Sequence, residues 1–163
     1  MGSRGSVIPF FMAKANTGVL PITDTRMTRF MITLEQGVEL VWHAFDDMAG
    51  GEIYVKKIPS MNIVDIANAV SPGATHKIIG IRPGEKIHEQ MIGSEDAPHT
   101  FEYENHFKIL PAIHNWSSDP KRINGGKPVP EGFTYISDTN TEWMDGTELQ
   151  QWITANRSKI GAI

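Results

Sequence analysis

The chain is organised around Arg82-Pro83-Gly84-Glu85, which follows the apolar run His76-Lys77-Ile78-Ile79-Gly80-Ile81. A residue before proline is pushed out of the helical region, and glycine tolerates a sharp turn. Arg82 therefore belongs to an extended strand end, and Lys86-Ile87-His88-Glu89-Gln90-Met91-Ile92 is expected to continue as a helix opened by the motif. Such a turn exposes a fork of donors beside a carboxylate. Guanidinium matches phosphate oxygens bidentately and a carboxylate accepts from vicinal hydroxyls, so Arg82 and Glu85 suit a nucleoside diphosphate with its ribose. Two solvated charges on a plain turn fit the same four residues.

Around this motif the chain alternates helix and strand. Gly2-Ser3-Arg4-Gly5-Ser6 leads into a helix from Val7 with Pro9 in its first turn, closed by Asn16-Thr17-Gly18. A loop rich in backbone donors at a helix N-terminus is an anion cradle, and its place at the first residues creates the expectation that other polypeptide precedes it. Val19-Leu20-Pro21-Ile22-Thr23 reads as a strand. Thr33 with Gln36 has capping-box spacing, and Leu34, Val38, Leu40, Val41, Ala44 and Phe45 form an apolar stripe through Met48. Arg29, four residues before that cap, is expected on the loop entering the helix, within reach of a phosphate or paired with Asp24 or Glu35. A strand at Glu52-Ile53-Tyr54-Val55 and a helix from Ile63 to Val70 follow.

After Gly93 the pattern changes to paired strands, His99 to Glu104 and His106 to Leu110, a Pro/Gly-rich excursion from Asn115 to Phe133, and a helix from about Asp145 to Arg157. Trp143, Leu149, Trp152 and Ile153 are its docking residues. The division is thus residues 1–93, an α/β binding core, and residues 94–163, strands, loop and closing helix.

Composition narrows the function. With 163 residues, 40% of them hydrophobic, the chain is long enough for a sizeable core. A formal net charge of −4 without a basic stripe argues against nucleic-acid binding. No stretch approaches the length of a membrane span and no secretory leader is recognisable, so a cytoplasmic protein is expected, in keeping with the absence of cysteine. The histidines at 43, 76, 88, 99, 106 and 114 lack metal-ligand spacing, and no structural metal is expected. There is no dinucleotide glycine fingerprint, no phosphate-binding P-loop, no nucleophile elbow, and none of Tyr54, Tyr103 and Tyr135 has lysine four positions on.

Three blocks, Gly2 to Phe11, Pro21 to Phe30 and Ile79 to Lys86, with Phe133-Thr134-Tyr135, Asn140 and Trp143 further on, resemble the C-terminal half of extended short-chain dehydrogenase/reductase enzymes acting on nucleotide sugars. Within that group the chain is most similar to the inverting UDP-N-acetylglucosamine 4,6-dehydratases of pseudaminic acid biosynthesis. The resemblance implies an α/β substrate-binding lobe with short mixed strands and about four main helices, lacking most of the Rossmann sheet. It implies that Arg29 and Arg82 clamp the UDP pyrophosphate and that Glu85 binds the uridine ribose. Ser6 and Val7 match backbone-contributing positions, Arg4 lies in the same loop, Met31 sits near the uridine, and Pro21 and Ile22 border the uracil. Complete members carry NADP and a Tyr-x-x-x-Lys pair in an N-terminal Rossmann half. The implied chain is therefore a UDP-sugar-binding portion that holds neither catalytic groups nor cofactor by itself. Its implied partners are a UDP-sugar and either a Rossmann half or further copies of itself. A non-catalytic UDP-sugar-binding module, or a truncated protein stabilised by oligomerisation, is the alternative.

Overall fold

The computed structural model describes residues 1–3, 5–113 and 118–161, so Arg4, His114 and Asn115-Trp116-Ser117 lie outside the described residues. Along the chain the elements are α1 (Val7–Lys14), β1 (Val19–Ile22), β2 (Thr28–Phe30), α2 (Leu34–Asp47), β3 (Ile53–Lys56), β4 (Ser60–Asn62), α3 (Ile63–Val70), β5 (Thr75–Ile78), β6 (Gln90–Ile92), β7 (Thr100–Glu102), β8 (His106–Ile109), α4 (Pro120–Ile123), β9 (Lys127–Pro128), β10 (Tyr135–Ile136) and α5 (Gly146–Asn156). They fall into two compact units that interleave in sequence. Met1–Thr33, Pro59–Glu89 and Ser137–Ile163 form the first, Leu34–Ile58 and Gln90–Ile136 the second.

In the first unit the buried faces of three helices and of strand β1 meet in one core. α3 starts where the Asn62 side chain accepts the Val64 N–H at 2.8 Å, satisfying one orphan donor of the first turn. Its apolar period then buries Ile63, Ile66, Ala67 and Ala69. α5 starts at a reciprocal capping box between Asp145 and Glu148 and contributes Leu149, which is fully buried. α1 adds Ile8 and Phe11, and β1 adds Leu20 and Ile22. Each such side chain removed from water is worth about 1.5–3 kcal/mol. Trp152 and Ile153 pack half-buried against this core, whereas Trp143, expected to dock, remains 48% exposed and donates its indole N–H to Asn140 O. β1 runs parallel to β5, and β2 antiparallel to β4.

The second unit is built on the antiparallel sheet β3-β8-β7-β9, and β10 pairs antiparallel with β6 in a separate two-stranded sheet. The expected pairing of the strands around His99–Glu104 and His106–Leu110 is present as β7 and β8. Phe107 centres an aromatic group with Phe133 and Tyr135 at 5.2 and 5.1 Å between rings, and the Tyr135 hydroxyl is buried between the Ile58 N–H and C=O. α2 begins at the expected place, yet none of its residues is buried, and its stripe Leu34, Val38, Val41, Phe45 and Met48 stays exposed.

Two expectations about local structure fail. Residues 86–92 are not a helix: Lys86–Glu89 is irregular and Gln90–Ile92 is a strand. The backbone groups that a helix would use are taken by long-range bonds, since the Ile87 carbonyl accepts from the Thr28 N–H at 3.1 Å and from Arg29 Nη1 at 3.0 Å. Arg29 is not on a loop but in β2, opposite Met61 of β4. Among the described residues, no helix is long and apolar enough to cross a membrane, and no group of three or more His, Asp and Glu is placed to hold a metal ion.

Candidate functional site

The first unit contains a cavity of about 490 Å³. Its walls come from the start of α1 (Gly5, Ser6, Val7), from β1 (Pro21), from β2 and its flanks (Met27, Arg29, Met31), and from the segment after β5 (Arg82, Glu85, Glu89). Ser6, Val7, Pro21, Arg29, Met31, Arg82 and Glu85, seven of the nine residues singled out in the sequence, therefore converge on one hollow. Ile22 does not line it: alternation along β1 turns Ile22 into the core, fully buried, while Pro21 faces the cavity.

The Arg82–Glu85 turn is closed twice. Pro83 occupies its second position and Gly84 its third with φ 85°, a conformation that side chains with a Cβ rarely adopt. The Glu85 N–H donates to the Arg82 carbonyl at 3.1 Å, and Glu85 Oε2 accepts the Arg82 N–H at 2.9 Å. One carboxylate oxygen thus holds the turn and the other is left for a ligand. The Arg82 guanidinium is exposed and makes no ion pair or hydrogen bond among the described residues.

Arg29 is held differently. Its Nη1 donates to the carbonyls of Thr28 at 2.7 Å and Ile87 at 3.0 Å, which uses both hydrogens of that nitrogen. Nη2 makes only long contacts, 3.4 Å each, to Met27 Sδ and Lys86 O, and Nε stands 3.7 Å from Glu89 Oε1. The Nε–Nη2 edge is accordingly the part of the fork that an anion could engage. Asp24 is occupied by Arg26, whose hydrogen bonds hold the Asp24 carboxyl at a pKa of about 2. At the α1 end, Gly5 takes φ 75° and Ser6 turns its hydroxyl back to Ser3 O at 2.8 Å, which leaves the first-turn N–H groups of α1 without a side-chain cap.

Glu89 was not singled out in the sequence. It lines the cavity, accepts the Phe30 N–H at 3.0 Å through Oε2 and faces Arg29 through Oε1. A helix over 86–92 would have sent it to an unrelated face. The signal that could have found it is its spacing, four residues after Glu85 in a stretch whose one strong restraint is a turn.

The polysaccharide biosynthesis protein family matches residues 1–111. The chain belongs to that family. Relatives include the UDP-N-acetylglucosamine 4,6-dehydratase (inverting) of Campylobacter jejuni subsp. jejuni serotype O:2, 51% identical over 160 residues that cover 94% of this chain and 48% of the relative. The UDP-glucose 4-epimerase of Rickettsia canadensis is 40% identical over 137 residues, 81% of this chain and 38% of the relative. The X-ray structure of Pen from Bacillus thuringiensis superimposes with a TM-score of 0.78 at 28% identity, covering 96% of this chain and 46% of that one. The chain thus spans about half the length of the curated relatives it matches. Its mixed α/β architecture, with five α-helices among the described residues and small sheets, is part of a fold like that of the short-chain dehydrogenase/reductases.

Proposed function

We propose that this chain is the UDP-sugar-binding portion of a UDP-N-acetylglucosamine 4,6-dehydratase-like enzyme of surface-polysaccharide biosynthesis, acting in the cytoplasm on the precursor of a pseudaminic-acid-type sugar. The observation that carries the reading is the convergence on one cavity of an unpaired guanidinium, a second guanidinium whose Nε–Nη2 edge is held only by long contacts, and a carboxylate fixed by its own turn. Arg82 engages the pyrophosphate from solvent and Arg29 from the floor. Glu85 accepts from ribose hydroxyls through its free oxygen. Val7 offers a backbone donor at the start of α1, where the Ser6 N–H is already taken by the Ser3 carbonyl at 3.1 Å, while Pro21 and Met31 flank the base and Ile22 supports them from the core. All these positions fall within residues 1–93, which supports assigning the nucleotide site to that stretch.

The dehydratase chemistry of the resembled family needs a hydride acceptor, and NADP supplies it when bound. The residues present here do not fit NADP: β1 leads into β2, and β5 into the Arg82 turn, so neither parallel strand feeds a glycine-rich loop into a helix N-terminus. What this chain does is bind and orient. Binding without a hydride acceptor or proton-transfer groups does not accelerate the reaction, so the isolated chain is inactive. β1 and β5 form a two-stranded parallel sheet that leaves Val19 and Ile78 exposed, with Ile79 and Ile81 just beyond. Parallel sheets are normally covered on both faces, and this supports a Rossmann half, or a second copy, as the partner.

Calorimetric titration with UDP and UDP-N-acetylglucosamine tests the reading. Binding to the wild-type chain is expected, and Arg82→Ala should weaken it about tenfold or more, since a charge-assisted bond is worth roughly 1.5–3 kcal/mol and Arg29 remains on the pyrophosphate. Absence of UDP affinity in the folded wild type would sink the proposal.

A further inference from the structure

The segment that carries Glu89 and returns from the Arg82–Glu85 turn is not part of any helix or strand, yet every residue of β2 is bonded to it. The Thr28 N–H and Arg29 Nη1 share the Ile87 carbonyl, Arg29 Nη2 reaches Lys86 O, and the Phe30 N–H donates to Glu89. On its other side Ser137 exchanges two bonds with Glu89, its N–H to Glu89 O at 2.8 Å and its Oγ from the Glu89 N–H at 2.9 Å. Between them lies a chain of hydroxyls ending on an imidazole. Ser137 Oγ is 2.6 Å from Thr28 Oγ1, which is 2.8 Å from His88 Nδ1, while His88 Nε2 faces Asp138 at 3.6 Å.

The direction of that chain follows from satisfying its buried members. Ser137 is fully buried and Thr28 nearly so. Ser137 Oγ already accepts from Glu89, so its own hydrogen goes to Thr28 Oγ1, and the Thr28 hydrogen then goes to His88 Nδ1. Read the other way, the Ser137 hydrogen would be buried without an acceptor. Every bond in the run therefore points from the Glu89 amide to the imidazole, and each strengthens the next. Removing the imidazole leaves the Thr28 hydrogen without its acceptor and reverses or breaks the line.

We propose that Thr28, Ser137 and His88 form a clasp that positions the diphosphate site. It fixes segment 86–89 at one height on β2, and so sets both the open edge of Arg29 and the Arg82–Glu85 turn against the same ligand. His88 touches neither the cavity nor, on this account, the substrate; it is a positioning residue. The inference rests on the nucleotide reading for its ligand but not for its structural half.

Two measurements separate the parts. Amide hydrogen exchange in the unliganded protein reads the clasp alone, and titration with UDP reads its consequence. His88→Ala and Thr28→Val are each expected to speed exchange at residues 85–89 at least tenfold, with α3 unchanged, and to weaken UDP binding about tenfold. The double variant should be no weaker than either single one, because both break one line. Asn carries a polar atom at the position of His Nδ1, and Gln one nearer Nε2. His88→Asn should therefore restore binding to within about threefold of wild type, whereas His88→Gln should not; a residue that merely fills space predicts no such difference. Thr28→Ser, which keeps the hydroxyl, should likewise bind as wild type and guards against a misfolded valine variant. Unchanged exchange in both His88→Ala and Thr28→Val overturns the clasp. Faster exchange with unaltered UDP affinity overturns its role at the site. Wild-type protein that binds no UDP overturns the nucleotide reading and the positioning role together, while the exchange result still decides whether the clasp exists.

Discussion

The two units solve the problem of buried polarity in opposite ways. In the first, the buried polar side chains are hydroxyls, Thr28, Ser60 and Ser137, satisfied by neutral or backbone hydrogen bonds. In the second they include His106 and Lys108, and the structure is tied by ion pairs. Lys108 Nζ is buried 2.6 Å from Asp47, which also accepts from Tyr54 and Asn124, and Arg122 is 2.6 Å from Glu52. Burial alone would raise the Asp47 pKa, but the bonds from Lys108, Tyr54 and Asn124 outweigh it and hold the group at about 2. Hydroxyl networks keep their protons over the whole working range, whereas charged ones respond to acid. In the unit that offers the candidate ligand cavity the buried polar side chains among the described residues are hydroxyls alone, and their line ends on the half-buried imidazole of His88.

The largest test of this contrast is Lys108→Ala. It leaves the Asp47 carboxylate without its cation in a mostly buried place, and a loss of about 3–5 kcal/mol is expected in urea unfolding. A loss below 1 kcal/mol would mean that Tyr54 and Asn124 suffice and that the contrast is only nominal. Acid gives the next largest effect. Burial, then the neighbouring His43, depress the His106 pKa from 6.5 to about 4. The folded state thus resists a proton that the unfolded chain takes up, so stability is unaffected above about pH 6.5 and falls as pH drops toward 4. The expected loss is on the order of 2–3 kcal/mol, and His106→Phe should flatten that stretch of the profile. Hydrogen exchange should localise the loss to the second unit; equal weakening of α3 would break the comparison. The smallest effect belongs to α2, where Val41→Gln on the exposed stripe should change stability by no more than about 0.5 kcal/mol in the isolated chain.

Periodicity made most elements legible. α3 lies where its apolar spacing puts it, and α5 begins at Gly146, beside the expected start at Asp145; the Asn62 cap and the Asp145–Glu148 capping box emerge only from the structure. The cavity was legible in outline for a different reason: Arg29, Arg82 and Glu85 are marked by residue type within blocks that resemble a known family. What could not be read was long-range. Residues 86–92 have helical composition, but the capture of the Ile87 carbonyl by β2 decides their conformation, and nothing within seven residues announces it. Thr28 and Ser137 are ordinary hydroxyls, 109 positions apart in sequence, whose meaning exists only once they touch. The stripe on α2 announces an appetite for burial and says nothing of what satisfies it, so an exposed helix and a core helix look alike on paper.

The double closure of the Arg82–Glu85 turn, together with the Arg29–Glu89 contact, has an electrostatic consequence. Along the described cavity wall two guanidinium groups are matched by two carboxylates, so the lining side chains Arg29, Arg82, Glu85 and Glu89 carry no net formal charge. Beyond a Debye length of about 8 Å in physiological salt such a quadrupole casts almost no field. These four side chains therefore do not gather anions from a distance. An anion is discriminated only on contact, by whether its oxygens fall where the two forks point, and the rate of its arrival should be nearly indifferent to ionic strength.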